Sequence, residues 1–268
     1  MKDLLPRTIT AIVAIAIVVS ALALGWAWQS IWPVAFLGAF VVGVASWEYV
    51  QLLERNGIVL NRLFFVSSAV LVMLAYGTPE AAFGDLVLWA ALVFPIALYL
   101  FDPDALRKIL ATMGGIVYIP YLLHFFYPLY RAGALYGLLA LVLVWGYDIG
   151  AYLAGSALGK NLLAPMISPR KSWEGVAGGF VLALALAAIA PIWKDWWAST
   201  PHMIALAGIT SALTQLGDLL ESRLKRLAQV KDAGGLMPGH GGLLDRIDGL
   251  LLAIPAIYFY FRFVLKWV

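Results

Sequence analysis

Charged residues interrupt this chain so rarely that the gaps between them predict its elements. Between Arg7 and Glu48 lie 40 uncharged residues, enough for two helices of about 20 residues with a break near Gly25 to Pro33. Further uncharged runs cover 63–79, 86–101, 109–130, 132–147, 175–193, 196–217 and 249–261. The runs are continuously apolar rather than alternating, which predicts membrane helices and argues against a β-barrel. The expected fold is therefore an all-α, polytopic integral membrane protein of about nine transmembrane helices. The runs 63–79 and 86–101 are short, so those helices are expected to be buried, tilted or extended into charged flanks. Ile9 to Trp28 follows Lys2 and Arg7 as a signal peptide would, with Ala21-Leu22-Ala23 as a cleavage site. It is long for a signal core and reads as a retained first span.

Basic residues set the expected orientation. With the N-terminus inside, Lys2, Arg7, Arg55, Arg62, Arg107, Lys108, Lys160, Arg170, Lys171, Arg223, Lys225, Arg226, Lys231 and Arg246 all fall on the cytoplasmic side. Only Arg131, Lys194, Arg262 and Lys266 remain outside. That asymmetry predicts a cytoplasmic N-terminus, an external C-terminus and residence in the cytoplasmic membrane. Trp193, Trp196 and Trp197 read as an outer interfacial belt.

Composition narrows the function classes. At 63% hydrophobic and 12% charged residues, the chain has far more apolar surface than one soluble core could bury. A net charge of +3 gives no case for nucleic acid. Without cysteine there are no disulfides, thiolate nucleophiles or thiolate-bound metals. Residues 1–140 are expected to form hydrophobic N-terminal spans, and 141–268 a catalytic transmembrane region with two cytoplasmic motif loops, 154–174 and 222–245. Polar and glycine residues concentrate in those loops, so chemistry is expected there.

The first constellation runs from Asp218 to Asp248. It places Arg223, Lys225, Arg226, Lys231, Arg246, Asp232, Asp245, His240 and five glycines within about thirty residues. Such density at a membrane face calls for an anionic phosphate ligand with a divalent cation, because glycine lets amides approach phosphate oxygens and Lys or Arg neutralises their charge. Asp218, Glu221, Ser222 and Lys225 share one helix face, and so do Asp245 and Asp248. The run 249–261 covers only about 20 Å against about 30 Å of hydrocarbon, so the last helix must begin near or before Asp248. Carboxylates at that depth are costly unless paired or metal-bound, which points to oxygen-ligated Mg²⁺. Taken singly, these acids could serve as helix-start charges or structural ion pairs, and His240 as a plain loop residue.

The second constellation is Asp148, near the expected end of the sixth span, with Gly155, Gly159 and then Ser168-Pro169-Arg170-Lys171-Ser172-Trp173-Glu174-Gly175. Ser172 is a candidate N-cap for the seventh span. Ser168, Lys171 and Ser172 could hold phosphate oxygens at that helix start. Gly155, Gly159, Gly178 and Gly179 could equally be close-packing positions between helices.

At these residues the sequence resembles the phosphatidate cytidylyltransferases, or CDP-diacylglycerol synthases. The match runs from Ser222 through Asp248 with the family's spacing, and Ser168 to Gly175 looks like a second motif. Met237 and Gly249 depart mildly from the common residues. The resemblance implies conversion of CTP and phosphatidate to CDP-diacylglycerol and pyrophosphate, with Mg²⁺ required. It assigns Asp218, Asp245 and Asp248 to metal. Lys225, Arg226, Lys231, His240 and Arg246 are expected to hold the CTP phosphates together with the Gly241 and Gly242 amides, and Ser168, Lys171, Ser172 and Ser222 to contact substrate phosphate. Asp148, Asp232 and Glu221 would support them or serve as further metal ligands.

A phosphate monoester is already largely dianionic near neutral pH, so the nucleophile needs positioning rather than a strong base. This fits the lack of a Ser-His-Asp or Cys-His arrangement. The expected partners are CTP, phosphatidate and the lipid bilayer, and a homodimer is compatible with a chain of this size. Two other classes share features: a CTP-dependent polyprenol kinase, which would release CDP, and a secondary transporter, for which no inverted repeat of broken spans is visible.

Overall fold

The computed structural model describes residues 4–189, 200–234 and 241–266. Ten α-helices dominate it. They are α1 (Leu4–Ala27), α2 (Trp32–Arg55), α3 (Arg62–Tyr76), α4 (Ala81–Tyr99), α5 (Ala105–Ile116), α6 (Phe126–Ala132), α7 (Ala134–Leu158), α8 (Trp173–Ile189), α9 (Thr200–Leu227) and α10 (Leu244–Phe259). Seven helical stretches are long and apolar enough to cross a membrane, α5 to α6 counting as one and the stretch from α10 running on to Leu265. α3 and α8 are the two shorter apolar helices. The short run at 86–101 belongs to α4, which begins upstream at Ala81 and reaches spanning length. Trp193, Trp196 and Trp197 lie outside the described residues; Trp26, Trp28 and Trp32, flanking the α1–α2 turn, are exposed and suited to interfacial anchoring.

Local chemistry sets the boundaries. Gln29 adopts a left-handed φ of 50° after α1, and Pro33 sits in the first turn of α2. Asn61 caps α3 by accepting from the Phe64 amide at 3.0 Å. Between α5 and α6 the helix widens into a π turn, Val117–Tyr121, around Pro120, whose ring removes a backbone donor.

The chain divides into two compact units, and no single cut separates them. The first comprises residues 1–127 with 224–247, the second 128–223 with 248–268. Residues 224–247, which hold most of the first motif, thus pack with the N-terminal helices rather than with the rest of the second half.

In the second unit α7 packs tightly on α8 through small residues. A Cβ on Gly178 would collide with Ala154, and one on Gly150 with the Gly178 carbonyl. The glycine-rich pattern here therefore serves close helix approach. α7 continues to Leu158, so Asp148 stands within the helix on an exposed face instead of at its end. A boundary drawn at the first charge misses this, because Ile149 to Leu158 contains no proline and nothing else that would stop a helix.

A small antiparallel hairpin joins α7 to α8, with β1 (Leu162–Ala164) paired to β2 (Ser168–Ser172). The all-α expectation did not include it. These are the only strands among the described residues.

Candidate functional site

In the second unit the hairpin and α9 bring the two sequence motifs together. Lys171, in β2, forms an ion pair with Asp218 Oδ2 on α9. Ser222, one turn further along α9, donates to Asp218 Oδ1 at 3.3 Å. Asp218 thus carries an ammonium on one oxygen and a hydroxyl on the other while staying about one-third exposed. Ser168 is half-buried in the same strand. Ser172 Oγ accepts from the Gly175 amide at 3.1 Å, so it is the N-cap of α8.

Glu174 ties down the other end of the hairpin. It accepts from the Lys160 amide at 3.2 Å and from the Asn161 side chain at 2.6 Å. Hydrogen bonds from its own amide, from Lys160 and from Asn161 hold its carboxyl at about 2.

Tyr147 on α7 donates to Gln215 on α9 at 2.9 Å. α10 crosses α9 closely enough that a Cβ on Gly217 would strike the Asp248 carbonyl. Asp248 Oδ1 accepts from the Gly249 amide at 2.8 Å, and Glu221 is fully buried on α9.

In the first unit Asp245 is the centre. Lys225 Nζ lies 2.5 Å from its Oδ1, and both side chains are nearly buried. The Ala233 and Gly242 amides donate to its Oδ2 at 2.9 and 2.8 Å. The Gly242 amide, expected to face phosphate, is thus directed to Asp245. Gly241 has a φ of +79°, a conformation that favours glycine.

Arg226 is exposed and donates to the Val230 carbonyl at 3.3 Å, while Lys231, Asp232 and Arg246 are exposed. His240 lies outside the described residues.

One residue of this cluster has no counterpart in the motifs. Glu48, on α2, accepts from the Leu243 and Leu244 amides at 3.0 and 2.7 Å and is buried. Its sequence signal was a lone carboxylate ending a 40-residue uncharged run, which reads only as a span boundary.

The arrangement offers carboxylates paired with ammonium groups, with hydroxyls nearby. Among the described residues, no three Asp, Glu or His side chains gather into a self-sufficient metal cluster. Mg²⁺ seldom needs one, since it is commonly held by one or two carboxylates together with substrate phosphates and water. All-oxygen, anionic donors that already attract cations fit such an ion.

A cytidylyltransferase family model matches residues 5–264. The chain is 43% identical over 146 residues to a phosphatidate cytidylyltransferase of Bacillus subtilis, covering 53% of this chain and 54% of that protein. It is 48% identical over 128 residues to one of Haemophilus influenzae, covering 46% and 44%. In these two alignments it spans about half the relative's length. A phosphatidate cytidylyltransferase of Pseudomonas aeruginosa aligns more fully, at 36% identity over 234 residues, 82% of this chain and 84% of that protein.

Proposed function

Because the chain belongs to the cytidylyltransferase family, we propose that it transfers the CMP moiety of CTP to phosphatidate, giving CDP-diacylglycerol and pyrophosphate. The observation that carries this reading is the ion pair between Lys171 and Asp218, which joins two motifs far apart in sequence.

In the proposed reaction an oxygen of the phosphatidate phosphate attacks the α-phosphorus of CTP. The bond to the bridging oxygen breaks and pyrophosphate leaves with its electron pair. Since the attacking phosphate is already ionised near neutral pH, no protein base is required, and a single displacement with inversion follows. Lys171, Ser168, Ser172 and Ser222 are proposed to hold substrate phosphate in the second unit. In the first unit Lys225, Arg226, Lys231, His240 and Arg246 are proposed to neutralise the triphosphate, with Gly241 shaping the backbone beside them. Mg²⁺ is proposed to be held by Asp218, Asp245 and Asp248 with substrate oxygens; when bound it supplies charge neutralisation on the phosphates.

The active side is proposed to face the cytoplasm, where most of the basic residues are expected. Seven spanning-length helices support residence in the bilayer, and a homodimer stays part of the proposal.

The test is to incubate the purified chain in detergent with phosphatidate, labelled CTP and Mg²⁺ and to identify the products. CDP-diacylglycerol with pyrophosphate is the expected result. Release of CDP with phosphate gained by a lipid alcohol would indicate a kinase instead, and no product from any nucleotide would overturn the reading.

A further inference from the structure

Glu48 is a carboxylate in the interior of α2, set among apolar residues ahead of Glu54 and Arg55 and flanked by Trp47 and Tyr49. It is 3% exposed. A carboxylate in such a place is costly unless it is hydrogen-bonded or paired. Here its two oxygens are divided between two consecutive amides, Oε1 accepting from Leu243 at 3.0 Å and Oε2 from Leu244 at 2.7 Å. Those amides stand at the very start of α10, where the helix has donors without intrahelical partners and a partial positive charge. Glu48 therefore caps α10 from a helix almost two hundred residues earlier in the chain.

The surroundings are shaped to admit it. A Cβ on Gly234 or on Gly242 would overlap the Glu48 carboxylate, so both ends of the glycine-rich loop pass directly against this side chain. Asp245 binds the same two ends through the Ala233 and Gly242 amides. Two carboxylates thus take four successive or neighbouring amides between them, one set from α2 and one from within α10. The first turn of α10 carries Asp245, Arg246 and Asp248, all assigned to the proposed reaction.

We propose that Glu48 is a positioning residue for nucleotidyl transfer, fixing the N-terminus of α10, and with it Asp245 and Arg246, from the N-terminal helices. The inference rests on the proposed activity. It explains why residues 224–247 pack with the N-terminal unit: the reaction's charged groups are held in register by a span that contributes no motif.

The experiment compares wild-type protein with Glu48→Gln, Glu48→Ala and, as a control on the same helix, Glu54→Gln, whose residue pairs with Arg62. All are purified as full chains in detergent. Three readings are taken: the steady-state kinetics for CTP (kcat and KM per folded molecule), the Mg²⁺ activation curve, and hydrogen exchange at the Leu243 and Leu244 amides. Displacing a positioned group by about an ångström costs up to about 100-fold in rate. Glu48→Ala is expected to lower kcat/KM by about that factor, and Glu48→Gln, which keeps the shape and one acceptor, by about 10-fold. Exchange at the two amides should accelerate in the same order, while Glu54→Gln should match the wild type in all three readings.

Unchanged exchange in Glu48→Ala would remove the cap. Faster exchange with kcat, KM and Mg²⁺ dependence unchanged per folded molecule would make Glu48 a stabilising residue only and overturn the proposal. If the wild type forms no CDP-diacylglycerol, the proposed activity fails and this role in it falls too, while the exchange data separately report whether the cap exists.

Discussion

Lys171 and Asp218 form an ion pair between the short hairpin and the long helix α9. The pair joins two segments whose charges, taken separately, could each be local helix-end devices, at the place where the proposed reaction would hold substrate phosphate. Because Ser222 also donates to Asp218, the acid is held on both oxygens. Lys171→Ala and Asp218→Asn should therefore be non-additive. Each alone is expected to reduce kcat/KM, Asp218→Asn by about 100-fold or more, while the double variant should fall short of the product of the two losses. Full additivity in a double-mutant cycle would show that the pair does not act as a unit.

Asp245 and Asp248 should behave differently when changed to Asn. Asp248 stands in the α10 turn with the Gly249 amide on its carboxylate, and its loss should damage turnover with yield and monodispersity retained. Elevated Mg²⁺ should partly restore that turnover by mass action. Asp245→Asn removes the charge that meets Lys225 Nζ at 2.5 Å between two nearly buried side chains, which is expected to destabilise the fold by about 3 kcal/mol. Thermal unfolding in detergent should show a lowered midpoint for Asp245→Asn, partly recovered by adding Lys225→Met. An Asp245→Asn variant that melts with the wild type would contradict this.

The Glu174 contact gives a pH signature. Its carboxyl is held at about 2 by its own amide, by Lys160 and by Asn161. A group whose value is depressed on folding contributes fully above its ordinary range and loses that contribution as pH falls through the folded value. Protection of the Lys160 and Asn161 amides from hydrogen exchange should thus persist well below pH 4 and disappear toward about pH 2. In Glu174→Gln it should be weak at every pH. Loss of protection already near the ordinary carboxylate range would refute the assignment.

Topology can be read in this cysteine-free chain with single cysteines at Ser156 and Glu80, both exposed. With the expected cytoplasmic N-terminus, if α3 crosses the membrane along with the longer segments, Ser156→Cys should react from the cytoplasmic side and Glu80→Cys from outside. Should α3 not cross, each site moves to the opposite side. Membrane-impermeant labelling of sealed cells distinguishes the two arrangements.

Several of these features were legible in the sequence because they follow from lengths and local chemistry. Thirteen uncharged residues at 249–261 cannot cross hydrocarbon, so α10 had to start upstream, and it starts at Leu244. Ser172, placed before an apolar run, is the expected cap. Counting charges as span ends failed where a charge sits inside a helix. Asp148 interrupts an apolar run without interrupting α7, and Glu48 faces protein amides rather than water. The partner of Glu48 could not be inferred, since no local pattern links α2 to residues near 243. The hairpin was hidden because its short strands carry none of the alternating apolar pattern that marks a half-buried sheet.

α9 runs for 28 residues, about 42 Å at 1.5 Å per residue, which exceeds the roughly 30 Å of hydrocarbon by about two turns. A helix of that length upright in the bilayer would leave the apolar layer while still helical, with Asp218, Ser222 and Lys225 on one face. For the proposed reaction, the lipid then never has to leave its leaflet; its phosphate meets the nucleotide at the surface while its acyl chains stay dissolved. Such an enzyme senses its lipid as a two-dimensional solute, so its rate should follow the mole fraction of phosphatidate in the bilayer and remain indifferent to bulk dilution of the vesicles.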